Sequence, residues 1–370
     1  MALLERILPA ALVLVAACGS AELIPIGVAG AFTDPIGRPM VLGARMAVEE
    51  INATGGIDGR HLALIEENDF GDPDSAIVVA NRLYSSDAVA VVGHLYSGTT
   101  LAAAPVYNSG ASPIASISPS SSAPEVSRAG PYTFRICPSD LAHGAALARW
   151  VRERLGLNRG TVLYLNDEYG RGVRERFVTE FERRGGEVVA VAPYLGDTPD
   201  VAAYMARMQS DERSQFVIVA GNRSEAEEVL RQMQARGMSL PLLGADGLEG
   251  IEEAGALAEG VYETLAYLPL IDTPANRKFV AAYRARYASE PPPNQPAAAS
   301  YDAVYLLRDA IQRAGTDRRK LRDAIAAIGD DAPFEGVTGR IAFDSLGDVP
   351  TRDVHVAVVR NGALRLAGGQ

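Results

Sequence analysis

Lysine is nearly missing from this chain of 370 residues: of 35 basic side chains only Lys278 and Lys320 are lysine, the rest arginine. Those arginines are scattered and outnumbered by 46 carboxylates, so no basic stripe is available for a phosphate backbone. The net charge of −11 points the same way, against nucleic acid or an anionic membrane surface as partner. Cysteine is equally scarce. Cys18 and Cys137 cannot build a disulfide framework. Long apolar runs are absent too: none reaches the ~18 residues of a membrane-spanning helix. The four histidines, at 61, 94, 143 and 355, have no metal-ligand spacing. His94 follows an apolar run and reads as a hydrogen-bonded structural imidazole rather than a general base.

Catalytic signatures are missing as well. The loop Gly30-Ala31-Phe32-Thr33-Asp34-Pro35-Ile36-Gly37 lacks the G-x-G-x-x-G spacing of a dinucleotide turn. Gly93 to Thr100 has the outline of a phosphate loop, but Thr99 stands where the lysine belongs. There is no G-x-S-x-G elbow and no H-E-x-x-H pair. No enzymatic activity, cofactor or metal is expected.

What is present is ordinary globular composition, 48% hydrophobic and 22% charged, in a length that suits two or three domains. At the front, Ile7–Ala17 is an apolar run of signal-peptide length, preceded by Arg6 and Glu5. Val15-Ala16-Ala17-Cys18 resembles a bacterial lipobox, so the Cys18 thiol is expected to take a lipid and become the new N-terminus. A plain cleaved secretory signal is the alternative.

After the leader, short apolar runs alternate with amphipathic stretches. Strands are predicted at 23–29, 61–66, 88–93 and 112–117, with helices at 40–52, from Asp72 or Asp74 to 84, and at 99–108. Gly55-Gly56 closes the first helix. This order, with near-continuous apolar strands, implies a parallel sheet covered on both faces. The pattern then restarts from about residue 141. Strands are expected at 160–165, 187–191, 216–220 and 241–243. Three later helices (275–287, 297–314, 318–328) and strands at 260–266, 340–343 and 354–360 cannot form a third domain, so they complete the first two. The expected fold is α/β, two doubly wound parallel-sheet lobes, each discontinuous, with several chain crossings between them. The leader would occupy 1–20. The first lobe would hold 22–136 and 270–336, the second 137–269 and 337–370.

Ligands of such sheets bind beyond the carboxyl ends of the strands. One loop there, Tyr96-Ser97-Gly98-Thr99-Thr100, offers hydroxyls and a helix start able to receive a carboxylate. A second, Ser118-Pro119-Ser120-Ser121-Ser122, lies at the same edge. In the second lobe, Asp246 and Tyr169 follow corresponding strands. Opposed hydroxyl and carboxylate groups suit an α-amino acid, which needs donors for its carboxylate and an acceptor for its ammonium.

At this point the chain resembles the type I periplasmic binding proteins, and more narrowly the branched-chain amino acid binding proteins of ABC transporters. The likeness spans about 22–360. It is carried by Gly43-Ala44-Arg45, Ile51-Asn52-Ala53-Thr54-Gly55-Gly56-Ile57, Gly93-His94-Leu95, Ile117-Ser118-Pro119 and Asp167-Glu168-Tyr169-Gly170. The resemblance implies three crossing segments between the lobes, near 135–139, 267–271 and 335–340. It implies that Ser97 binds the ligand carboxylate and that Ser122 grips the ligand, with a backbone contact from Ser120 or Ser121. It also implies that Tyr169 is a second-lobe wall and that Asp246 receives the ammonium. The pocket side would involve Tyr96, Phe32, Asn222 and Arg223. Three places depart from the family: Gly71 and Tyr96 stand where its disulfide is expected, the aromatic wall near Asn222-Arg223 is replaced, and Phe32–Ile36 differs. The resemblance further implies a monomer outside the cytoplasm, tethered only by lipid, that closes on a small molecule and delivers it to a membrane permease. Amides, urea-like compounds or aromatic acids as ligands, and sensing for a signalling partner, are the competing readings.

Overall fold

The computed structural model describes residues 23–194, 201–211 and 213–368. The leader and Cys18 lie outside the described residues. No helix among the described residues is long and apolar enough to cross a membrane.

The first sheet contains β1 (Ile24–Gly30), β2 (Leu62–Asn68), β3 (Ala90–Gly93), β4 (Ala115–Ser118) and β5 (Thr133–Arg135). Its order is 2-1-3-4-5, all parallel. Helices α1 (Arg38–Ala53), α2 (Pro73–Ser85) and α3 (Ser97–Asn108) make the crossovers. Alternation along β1 covers both faces: Ile24, Ile26 and Val28 join one buried cluster and Ala29 another. The predicted punctuation holds. Gly56 accepts the end of α1, its N–H donating to Ile51 O at 3.0 Å with φ of +72°. The Asp72 carboxylate caps α2 by accepting from Ser75 N at 2.8 Å.

The chain then crosses into α4 (Asp140–Arg149), followed by β6 (Arg159–Leu165), α5 (Glu168–Arg183), β7 (Glu187–Tyr194), α6 (Ala202–Asp211), β8 (Val217–Ala220), α7 (Arg223–Ala235) and β9 (Leu242–Gly244). Two short 3-10 segments, Asp246–Leu248 and Ile251–Ala258, lead to β10 (Tyr262–Leu265). Helices α8 (Pro274–Arg286), α9 (Gln295–Ala314) and α10 (Arg318–Ala326) follow, α9 and α10 lying against the first sheet. The hairpin β11 (Phe334–Gly336) and β12 (Gly339–Ile341) precedes β13 (His355–Arg360) and β14 (Ala363–Leu366), which finish the second sheet. Its order is 14-13-10-9-8-6-7, with β13 alone running against the other strands.

One boundary differs from the sequence reading. Ile341, Phe343 and Val349 belong to the first-lobe core with Ile24 and Val28. The last crossing therefore falls between Val349 and β13, not near 335–340, and residues 337–349 stay with the first lobe. The apolar run at 340–343 carries no mark of which core it joins, and the crossing that the resemblance implies before it comes after it instead. Strand β5, of three residues, and the 3-10 segments after Gly244, of three and eight residues with a non-helical Gly255 inside the longer, are too short or broken for a periodic pattern to resolve.

Both sheets reverse strand order once, between β1 and β3 and between β6 and β8. A crevice opens beyond the carboxyl ends at each such point. The two crevices are apposed: a Cβ built on Gly98 of α3 would stand 3.5 Å from Glu168 Oε2 of α5.

Candidate functional site

The first-lobe wall is built by the loops after β1, β3 and β4. Ser97 opens α3, is buried, and its Oγ accepts the Ala123 N–H at 3.1 Å. This ties the two serine loops together and leaves the Ser97 hydroxyl hydrogen to donate. Ser118 supports the turn from within, its hydroxyl donating to His94 O at 2.8 Å and accepting from Ser121 N at 3.0 Å. Ser121 points inward, 2.6 Å from the Thr100 hydroxyl. Its side chain is structural, whereas Ser120 is half-buried at the turn and Ser122 is buried beside it. His94 has both nitrogens engaged, by Asp69 Oδ2 at 2.5 Å and the Tyr107 hydroxyl at 3.1 Å. It is a structural imidazole, as its setting suggested.

Tyr96 and Gly71 lie against one another. A Cβ at Gly71 would come within 3.1 Å of the Tyr96 ring, and Gly71 has a φ of +73°. The Tyr96 hydroxyl donates to Asp34 Oδ2 at 2.9 Å, linking the loop after β3 to the loop after β1. Burial and the neighbouring Asp34 push its phenol far above the ordinary range, so it stays a neutral donor. Phe32 is half-buried in the same loop, its N–H donating to Asn68 Oδ1 at 3.1 Å.

The second-lobe wall is acidic. The Tyr169 hydroxyl donates to Asp246 Oδ1 at 3.1 Å and accepts the Gly247 N–H at 2.7 Å. Burial, then the charge of Asp246, raise the Tyr169 phenol well above its usual range. Two residues that sequence reasoning passed over complete this wall. Asp140 and His143 lie three apart on α4, hence on one face. His143 Nδ1 meets the Thr264 hydroxyl at 3.0 Å, and its Nε2 stands 3.5 Å from Asp246 Oδ2 without a hydrogen bond. Asp140 is fully buried and neither oxygen has a well-aligned partner. Burial and next the charge of Asp246 push its carboxyl well above the carboxylate range, only partly opposed by the Ser122 hydroxyl and Arg135. The signal was an Asp at a helix start just after a crossing segment, with a His one turn on.

Arg135 was missed too. Its guanidinium is 1% exposed and donates to Ser122 O and Ala123 O, both at 2.8 Å, and to both Asp348 oxygens. One side chain thus holds the second serine loop and binds it to the segment before the last crossing. Burial alone would raise the Asp348 carboxyl, but the Arg135 contacts overrule it and hold it low.

Asn222 and Arg223 are placed differently from one another. Asn222 ends the loop after β8, where its N–H donates to Glu225 Oε2 at 2.8 Å. Arg223 is turned over the 3-10 segments, held by Glu227 at 2.8 Å and Glu253 at 2.7 Å. The structure does not bring its guanidinium to Asp246 and Tyr169. Among the described residues no His, Cys, Asp or Glu group is arranged to hold a metal ion.

Two doubly wound lobes with apposed crevices, one hydroxyl-rich and one acidic, agree with a family match to periplasmic binding proteins across residues 24–363. The chain belongs to that family. It is 30% identical to the leucine-, isoleucine-, valine-, threonine- and alanine-binding protein of Pseudomonas aeruginosa, over 91% of this chain and 90% of the relative. A leucine binding protein of Thermotoga maritima superposes with a TM-score of 0.85 at 27% identity, covering 93% of this chain and 98% of that one. A branched-chain amino acid transporter substrate binding protein of Streptococcus pneumoniae, solved with isoleucine, gives 0.84 at 27% identity with the same coverage.

Proposed function

We propose that this periplasmic binding protein is the solute receptor of an ABC transporter and captures an α-amino acid, branched-chain or related, by closing its lobes. The observation that carries this reading is the opposition of charge types across the cleft. The Ser97 hydroxyl and Ser122, at the end of a turn whose Ser121 N–H is already given to Ser118, supply neutral donors that suit a carboxylate. Asp246, steadied by Tyr169 and flanked by Asp140 and His143, suits an ammonium. Closure on solute then presents one composite surface to a permease. The chain itself performs no catalysis in this reading; energy comes from the transporter's ATPase subunits.

Calorimetry on the twenty L-α-amino acids tests it. At least one should bind, and Asp246→Ala should weaken that amino acid by at least about tenfold. Truncating one partner of a buried charge pair costs ~2–5 kcal/mol, which at ~1.4 kcal/mol per decade is about 25-fold to a few thousandfold. Ser97→Ala removes a neutral donor among several, worth ~0.5–1.5 kcal/mol, and should cost less. Undiminished binding by Asp246→Ala would move the ligand toward amides or aromatic acids. Cys18 is proposed as the lipid anchor. Membrane partition of wild type and its loss in Cys18→Ala is the expected result, and an unlipidated N-terminus elsewhere refutes it.

A further inference from the structure

Helix α9 of the first lobe begins at Gln295, and the first N–H groups of a helix have no partner inside it. Asn294 satisfies one of them, its Oδ1 accepting from Ala297 N at 3.0 Å. The Gln295 N–H is satisfied from the other lobe: it donates to Glu249 Oε1 at 2.7 Å. Glu249 directly follows the Asp246–Leu248 turn, and Leu248 is buried in the second-lobe core. The contact continues on the first-lobe side. Gln295 is 2% exposed, and its Nε2 donates to Pro119 O at 3.0 Å, inside the serine turn. A short path therefore runs from the Asp246 turn, through Glu249 and Gln295, to the turn that faces it across the cleft.

We infer that Glu249 is a closure latch: it caps α9 across the cleft and holds the two lobes together without itself contacting the solute. This rests on the two-lobe closure reading above. Because Glu249 and Asp246 sit on one rigid turn, seating Glu249 on α9 fixes where Asp246 stands relative to Ser97. Burial raises the Glu249 carboxyl to about 8, opposed by the Gln295 N–H. The acceptor is then the part of the side chain that matters, and glutamine should replace it.

The test compares Glu249→Ala and Glu249→Gln with wild type by stopped-flow fluorescence, using whichever of the twenty L-α-amino acids stabilises wild type most. Glu249→Ala should dissociate about tenfold faster with an association rate within twofold and an unchanged rank order of amino acids. Glu249→Gln should stay within about threefold of wild type. A dissociation rate within twofold in Glu249→Ala, or a changed rank order, overturns the latch. Small-angle scattering of the solute-free proteins supplies an arm independent of solute identity. A larger radius of gyration in Glu249→Ala supports the latch, and identical radii overturn it. Should no amino acid bind wild type, the solute assignment falls while the scattering comparison still decides the latch.

Discussion

Across the cleft, the two lobes present the same sheet edge in opposite states of completion. In the first, the groups behind the surface are already paired: Ser118 and Ser121 with backbone and Thr100, His94 with Asp69 and Tyr107. In the second, both Asp140 oxygens, His143 Nε2 and both Glu263 oxygens are buried without a hydrogen-bond partner. A buried polar group costs free energy unless it is paired. The first lobe is thus a finished mould for a neutral-donor contact, and the second stores a deficit that a cation can relieve. The same contrast appears between two buried aspartates. Asp302 of α9, raised by burial to about 6, still accepts Val337 N and Thr338 N at 2.8 Å each. Asp140 has only the Ser122 hydroxyl and the nearby Arg135 against its burial, and no backbone N–H.

The largest effect should come from undoing the finished side. Arg135→Ala leaves Asp348 without its cation and frees the Ser122 and Ala123 carbonyls. Breaking a buried pair from one side costs about 3–5 kcal/mol. At ~2–4 °C per kcal/mol for domains of 150–250 residues, Tm should fall by about 6–20 °C. Calorimetric melting of the solute-free protein checks this, and a drop under about 2 °C would mean that the loop stands without Arg135.

Next in size is a substitution that should move stability and binding in opposite directions. Asp140→Asn removes a buried ionisable carboxyl whose pKa the fold raises, so the solute-free protein at neutral pH should gain about 1 kcal/mol or more, while amino acid affinity falls at least several-fold. The pH dependence has a defined sign. A carboxyl whose folded pKa is raised keeps its proton in the folded state after the unfolded chain has lost it. Its contribution to stability is complete below the unfolded pKa near 4 and is lost as pH rises through the folded pKa. Asp140, Glu263 and Glu249 (about 8) all act in this direction. Tm should therefore decline between pH 5 and 8, and Asp140→Asn should flatten that decline. A steeper decline, or unchanged affinity, would remove Asp140 from the ammonium wall.

This contrast also explains what the sequence disclosed and what it withheld. Ser97, Ser122, Tyr169 and Asp246 stand in loops after apolar strands, where topology alone directs attention. Asp140, His143 and Arg135 lie on a helix start and a crossing strand, and they reach the cleft only because the chain passes between lobes there. A single histidine or arginine on such an element reads as ordinary packing. The 3-10 turn that carries Glu249 is too short for any periodic signal, and its partner Gln295 is 46 residues away.

The smallest effect separates a neighbour in sequence from a neighbour in space. Arg223 follows Asn222 at the β8 crevice and was expected to line the side-chain pocket. Its guanidinium instead bridges Glu227, half-buried, and Glu253, exposed, both within the second lobe. Surface pairs of this kind are worth ~0–1 kcal/mol. Arg223→Ala should therefore leave the rank order of bound amino acids unchanged and shift affinity by less than about threefold. Asn222→Ala, at the loop end itself, should disturb selectivity more, because it alters the residue facing the crevice and the cap shared with Glu225. Calorimetry of both variants against the same amino acids distinguishes them. Altered selectivity in Arg223→Ala with no change in Asn222→Ala would mean that the arginine swings from its surface partners into the cleft when solute is bound.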